Sequence, residues 1–227
     1  MSDVLNKVRS RGSWTVRIRP VEFDSTRVAK LGELVDAVRT SHVELRGWDF
    51  PHFDYKTAPE RSADYVEQQL DWEHYVELWR AYKSGQFISI SALWGDWRDQ
   101  SQLWAPNPGW KAGATLGVED VIFRFVEVFE FAARWARVIP VGDEMCVEFT
   151  LSGLQNRAIE LNPKRMGFRF NYVSSAKEFK WAQQYSTSLL FSAPRENAVT
   201  PSIALLELFG WDTTEEFVSD VQNELPN

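Results

Sequence analysis

Cysteine and histidine are scarce in this chain, which has one cysteine and three histidines among its 227 residues. Cys146 alone excludes an internal disulfide, and with His42, His52 and His74 it cannot build a common structural zinc site. No apolar run approaches the length of a membrane span, and the stretch MSDVLNKVRSRGSW lacks the apolar core of a signal peptide. We therefore predict a cytoplasmic protein without membrane contact, metal or other cofactor.

Short motifs of common enzymes are also missing. The sequence has no Gly-rich phosphate loop ending in Lys-Ser/Thr, no GxGxxG and no GxSxG. Its net charge of −7 argues against broad nucleic-acid binding. These absences favour a non-enzymatic binding or interaction module over an enzyme, although they do not exclude one.

Aromatic residues, in contrast, are abundant: the chain has 11 Trp, 15 Phe and 6 Tyr. Such rings bury a large area in a core, and they are also enriched at binding interfaces. We expect most of them in the core. The surplus indicates a protein partner or a homo-oligomer, and it leaves room for a small ligand.

Hydrophobic periodicity predicts the elements of the first 140 residues. Alternation predicts a half-buried strand at Ser13–Arg19 and a central strand in QFISISALW. Helical spacing predicts a helix that begins at Asp24 or Ser25 and ends near His42, and another in EHYVELWRAYKSG, capped by Asp71 and ended by Gly85. The strongest helix runs from Val118 to about Ile139, and its wide apolar arc implies packing on more than one side.

After Pro140 the pattern changes to strands and turns. EMCVEFTL, RAIEL, GFRFNY and QYSTSLLFS indicate an antiparallel meander. Two helices follow, in SIALLELF and in EEFVSDVQNEL, the second opened by a capping box of Thr213 and Glu216. We predict an α+β fold, a mostly antiparallel sheet with several packed helices and one long central helix. One domain, 1–227, is expected; a subdivision near residue 140, between a helix-rich part and the later strands and helices, stays open.

The segment ELRGWDFPHFD is the best local candidate for a functional site. Arg46 could hold a carboxylate or phosphate, and Gly47 permits a turn beside it. His52 with Asp49 or Asp54 could act as an oriented general base, and Trp48 adds a ring. An equally physical alternative is that Arg46 pairs with a nearby acid, His52 satisfies a buried carbonyl, and the rings fill the edge of the core.

A second candidate, WGDWRDQ, opens a long irregular segment from Gly95 to Gly117 that contains Trp97, Trp104 and Trp110. Asp96 could ligate a metal, and Trp97 could stack on a base or sugar. The alternative is a polar turn with its ring folded onto the core. On the long helix, Glu127, Glu130 and Arg134 are expected to form a solvated or interface face.

Charge is unevenly distributed along the chain. The first twenty residues are basic, whereas the last stretch carries acids and no Lys or Arg. A basic strand face with Arg17 and Arg19 could bind nucleic acid, although the overall charge makes this the weakest hypothesis.

Several segments together resemble a little-characterised bacterial family: WTVRIRP, ELRGWDFPH, YKSGQFISISALWGDW, VEVFEFAARWA, VEFTLSGLQNRAIEL and LFGWD. Regions similar to this family are joined to, or encoded near, Schlafen-type AlbA_2 domains. The resemblance covers most of the chain and supplies no activity. It implies a bacterial intracellular protein, a sensor or regulator in stress response or phage defence.

Two functional hypotheses follow. The first is a non-enzymatic binding, interaction or sensor module that uses a set of polar and aromatic residues: Arg46, Trp48, Asp49, His52, Asp96 and Trp97. The second is a metal-dependent hydrolase or nuclease with Asp49, His52 and Asp96 in its site. The two hypotheses differ in whether these last three side chains come together.

Overall fold

A computed structural model describes residues 3–102, 109–165 and 167–226. The strands are β1 (Ser13–Pro20), β2 (Glu60–Arg61), β3 (Tyr65–Trp72), β4 (Tyr75–Tyr82), β5 (Phe87–Ala92), β6 (Thr115–Gly117), β7 (Glu144–Ser152), β8 (Ala158–Glu160) and β9 (Glu178–Ser186). The helices are α1 (Asp3–Arg9), α2 (Leu31–Ser41), α3 (Val118–Val138), α4 (Thr187–Ser192), α5 (Pro194–Asn197), α6 (Val199–Glu207) and α7 (Glu215–Gln222). In these ranges no helix has the length and apolarity needed to cross a membrane.

Seven strands form one antiparallel sheet in the order β2-β3-β4-β5-β1-β7-β9, which confirms the predicted α+β class. β1 lies inside the sheet, where Val16 is opposite Ser89 of β5 on one side and Phe149 of β7 on the other. The alternation of Trp14, Val16 and Ile18 with polar residues fits this position, because only one face of β1 is buried in the core.

The 21-residue helix α3 packs across one face of the sheet. Phe125 meets Trp14 of β1 edge to face at 5.3 Å and Phe149 of β7 at 4.8 Å. Away from the sheet, α3 contacts α2 and the four C-terminal helices. This two-sided packing is the reason for its wide apolar arc. The main hydrophobic core includes residues on both sides of position 140.

The opposite face of the sheet is only partly covered. Val8 of α1 packs there against Val76 of β4 and Ile90 of β5. Farther along the same face, Arg17 and Arg19 of β1 are ion-paired with Glu148 of β7. A polar face of this kind is typical of an antiparallel sheet with one solvated side.

The helix predicted in EHYVELWRAYKSG is wrong, because this segment is strand β4. Val76 is buried beneath α1, whereas Trp79 and Ala81 are buried in the main core. A strand buried on both faces shows apolar residues at spacings that also fit a helix, so the pattern alone did not separate the two. Gly85, with φ of 82°, lies in the β4–β5 turn. Asp71, predicted to cap the helix, lies in β3 and pairs with Lys7 of α1.

Two predicted helix starts are also wrong. α2 begins at Leu31 rather than after Asp24, whose carboxylate instead accepts hydrogen bonds from the amide and hydroxyl of Thr26 at 2.8 and 3.0 Å. The N-cap of α7 is Thr214, which accepts a hydrogen bond from the Phe217 amide at 3.1 Å, and not Thr213.

The predicted meander holds only for β7 and β9. The stretch GFRFNY is not a strand, because Phe168 and Tyr172 turn to pack against Trp211 at 4.7 and 6.3 Å. β8 pairs in parallel with β6, outside the main sheet. β9 ends at Ser186, where the Ser186 hydroxyl caps α4, so most of QYSTSLLFS is helical rather than extended.

Candidate functional site

The loop of ELRGWDFPHFD leaves α2 and is closed by a two-residue bridge between Val43 and Phe50, with backbone hydrogen bonds of 2.9 and 2.8 Å. Gly47 has a φ of 81°, a conformation that glycine adopts without strain. The closed loop directs Arg46 towards α3 and Trp48 towards β4. The elements that hold this candidate loop are therefore a helix and a strand distant from it in sequence.

Arg46 is fully engaged by carboxylates of α3. Its Nε and Nη2 donate to Glu127 at 2.7 and 2.9 Å, and its Nη1 donates to Asp120 at 3.0 Å. Burial lowers the pKa of Arg46, but the charges of Glu127 and Asp120 raise it by more than burial lowers it, so the pKa is raised overall. The expectation that Glu127 lies on a solvated or interface face is wrong: its side chain is 1 % exposed and pairs with the half-buried Arg46 inside the fold.

Trp48 anchors a stack of rings. Tyr75 and His52 both stack on its indole, with centroids 3.8 and 4.1 Å away. The indole Nε1 donates a 2.9 Å hydrogen bond to Glu77, a buried carboxyl group on β4. Burial is the main cause that raises the pKa of Glu77. No pattern in the sequence predicts that this acid is buried.

The predicted pairing of His52 with an acid is present. Its Nδ1 lies 2.5 Å from Asp49 Oδ1, and the other oxygen of Asp49 accepts the Phe53 amide at 3.1 Å. Burial lowers the pKa of His52, but the hydrogen bond and charge of Asp49 raise it more. Burial raises the pKa of Asp49, but these same contacts lower it more. The pair therefore joins two residues of the same loop that are three positions apart.

Asp96, from the second candidate segment, is a structural anchor. Its two oxygens accept hydrogen bonds from Arg157 Nη1 and Nη2 at 2.6 and 2.8 Å, and the Gly12 amide donates to it at 2.9 Å. Both charged side chains are about 95 % buried. Each oxygen of Asp96 therefore already has a donor, and a metal would have to displace Arg157 to bind there.

The two residues after Asp96 have different surroundings. Trp97 is covered by the cations Arg11 and Lys7, with 4.3 and 5.0 Å to its ring centroid. Arg98 stacks on Trp94 instead, with its guanidinium carbon 3.7 Å from the ring centroid. Among the described residues, Arg98 has no ion pair, and its buried Nε has no hydrogen-bond partner. Burial lowers its pKa.

Both predicted loops line one cleft, which consists of two neighbouring cavities of about 130 and 270 Å³. Five residues line both cavities: Arg46, Trp94, Arg98, Asp120 and Arg124. The larger cavity adds Trp48 and Tyr75, and the smaller adds Trp110, Asp96 and Glu160 among others. Trp104, predicted in the same segment, lies outside the described residues. The arrangement combines cations with flat rings, which suits recognition of an organic anion.

The three residues of the hydrolase hypothesis do not form a joint metal site. Asp49 and His52 bind each other, whereas Asp96 binds Arg157. Across the described ranges, no group of three or more His, Cys, Asp or Glu side chains could hold a metal ion. The nucleic-acid candidates Arg17 and Arg19 lie on the sheet face away from α3 and share Glu148, at 2.8 and 3.0 Å.

Arg124 lines both cavities, although it is not among the site residues predicted from the sequence. Its position was a usable signal, because Arg124 follows Val121 by three residues and precedes Val128 by four, on the buried arc of α3. A cation at such a position needs a buried acid, a ligand or an exit to water. In the structure it stacks on Phe50 at 5.0 Å and lies 3.4 Å from Glu127.

No family model, no curated protein and no solved structure matches this chain. The resemblance to the bacterial family linked with Schlafen-type domains therefore stays a prediction.

Proposed function

We propose that the protein is a non-enzymatic binding module, a sensor, whose cleft holds the negatively charged group of a small ligand. Arg98 is the observation that carries this proposal. It is a cleft-lining cation with no ion pair among the described residues, in a chain with a net charge of −7. Buried polar groups normally have partners, so a donor left without one at a cavity wall is suited to an incoming acceptor.

The other arginines near the cleft differ from Arg98 in a way that supports the assignment. Glu127 and Asp120 neutralise Arg46, and Asp96 neutralises Arg157. Arg124 has a longer contact of 3.4 Å with Glu127, a carboxylate already bound to Arg46. Arg98 and Arg124 therefore remain available to an anion, and two guanidinium groups can bind one carboxylate or phosphate by several charge-assisted hydrogen bonds.

Calorimetry and thermal unfolding with phosphate, sulfate, acetate and chloride test the proposal. A bound anion at 100 times its Kd stabilises the folded state by about 2.7 kcal/mol, which raises Tm by roughly 5–10 °C for a chain of this size. We expect Arg98→Gln to raise the Kd for the anion at least tenfold, measured by calorimetry.

Arg169→Gln is the matched control, because Arg169 is exposed, stacks on Phe170 at 5.6 Å and lines neither cavity. Chloride at equal ionic strength controls for general screening. If no multi-oxygen anion binds, or if Arg98→Gln binds as the parent does, the proposed function is wrong.

The cellular setting belongs to the same proposal. We propose a cytoplasmic bacterial protein that acts in stress response or phage defence. Ligand binding in the cleft would change how it binds a protein partner or a second copy of itself. The support for the setting is the sequence resemblance, and the support for a partner is the aromatic surplus. Native mass spectrometry with and without a bound anion tests the partner, and a monomer in both conditions would contradict a homo-oligomer.

A further inference from the structure

We infer that the ligand of the cleft contains both an anionic group and a flat, nitrogen-containing aromatic ring linked to it, and that Trp110 is the platform for that ring. The inference rests on the proposed function, because Arg98 supplies the contact to the anion. It adds the chemical class of the ligand: a heteroaromatic phosphate or carboxylate of metabolite size.

Most indoles of the cleft are already occupied by other groups. Trp94 carries the guanidinium of Arg98 at 3.7 Å. Trp48 is stacked with Tyr75 and His52, and Trp14 meets the edge of Phe125. These three side chains build the wall and are not free to take a ligand ring.

Trp110 differs from them. It lines the smaller cavity and is half-buried, yet it has no aromatic or cationic stacking partner among the residues that the structure describes. We assign the ligand ring to Trp110 because it is the indole of this cavity on which no described ring or cation stacks. Stacking of a base on an aromatic side chain strengthens binding by roughly 5- to 150-fold, and it tolerates any flat ring.

The anion site and the ring platform belong to the same cavity, because Arg98 and Trp110 both line it. Asp120 and Glu160 line it too and offer acceptors for N–H or amino groups on a ring. A ring-free anion would leave Trp110 and these acceptors unused. The neighbouring cavities of about 130 and 270 Å³ together reach the lower range of sites for small molecules, which suits a ligand of metabolite size.

Calorimetry with two matched ligand series tests the inference. The phosphate series is adenosine monophosphate, ribose 5-phosphate and adenosine; the carboxylate series is indole-3-acetate, acetate and indole. In at least one series we expect the complete ligand to bind at least tenfold more tightly than either fragment. The series that shows this effect identifies phosphate or carboxylate as the anionic group.

Trp110→Leu should remove the difference in Kd between the complete ligand and the ring-free anion. The Kd of the ring-free anion should stay within twofold of its value for the parent protein. Trp181→Leu is the control, because Trp181 is a half-buried ring in β9 that lines neither cavity. Ring-free anions that bind as tightly as the complete ligands overturn the inference and leave the proposed function standing. An unchanged ring advantage in Trp110→Leu also overturns it. If no anion binds at all, the proposed function fails first.

Discussion

The ion pair between Asp96 and Arg157 permits a sharp stability prediction for the variant Asp96→Ala. The two side chains are about 95 % buried and make two hydrogen bonds of 2.6 and 2.8 Å. Without Asp96, the guanidinium keeps only the carbonyls of Gly153 and Thr115, at 3.0 and 3.1 Å, and no counter-charge among the described residues. The Gly12 amide loses its acceptor as well.

Removing one partner of a buried ion pair costs about 3–5 kcal/mol, because the remaining charge is left uncompensated. For a chain of this size each kcal/mol lowers Tm by about 2–4 °C, so we expect Asp96→Ala to unfold roughly 6–20 °C below the parent. Urea titration followed by tryptophan fluorescence measures the free energy of unfolding, and calorimetry measures Tm.

Two further variants sharpen this test. The exposed pair of Glu178 and Lys180 is the control, and Glu178→Ala should change stability by no more than about 0.5 kcal/mol. The double variant Asp96→Leu/Arg157→Met removes both charges and should recover much of the loss. A cost below about 1 kcal/mol for Asp96→Ala would refute the structural role, since a surface pair would behave that way. A double variant as unstable as the single one would show that the unpaired charge is not the cause.

Three other predictions concern single sites. His52→Gln should lower the free energy of unfolding more at pH 5 than at pH 8.5 in urea titrations. The pKa of His52 is raised in the folded state, so its contribution to stability is complete below the unfolded pKa of about 6.5. That contribution is lost as pH rises through the folded pKa. Equal costs at both pH values would contradict this. Glu77→Gln should stabilise the protein at pH 8 but not at pH 4, because the raised pKa of Glu77 means that folding opposes its ionisation; a loss at pH 8 would contradict it. Gly12→Ala should lower Tm, since the new Cβ would lie 2.7 Å from Arg157 Nη2, whereas Gly32→Ala, with open space on α2, should raise stability by up to about 1 kcal/mol. The opposite order of the two Tm values would refute the packing argument.

Elements whose buried residues recur at a regular spacing could be predicted from the sequence. β1 alternates because one of its faces is buried, and α3 shows a wide arc because it packs on two sides. The pattern of β4 wrongly predicts a helix, because burial on both faces erases the period-two pattern that marks a strand. The C-terminal strands were misplaced where aromatic residues such as Phe168 turn towards Trp211 rather than pair in a sheet.

The function of the candidate residues stays a prediction, whereas their positions can be compared with the structure. The sequence pointed to the two loops that line the cleft, because both break every regular period and concentrate polar groups with rings. The sequence alone does not show which polar groups lack an ion-pair partner. Arg46 and Asp96 were candidates for function, yet each is neutralised by a partner that lies 81 or 61 residues away.

By itself, the sequence determined the α+β class and the long central helix and indicated the two loops that line the cleft, because local periodicity and composition reflect how each segment packs against the core. Tertiary structure alone decided the chemistry of the cleft. Whether an arginine is a counter-ion or a free binding group depends on which carboxylate the fold places beside it. Glu127 neutralises Arg46, and Asp96 neutralises Arg157. Arg98 stacks on Trp94 and has no ion pair among the described residues, and for that reason it is the cation we assign to the ligand.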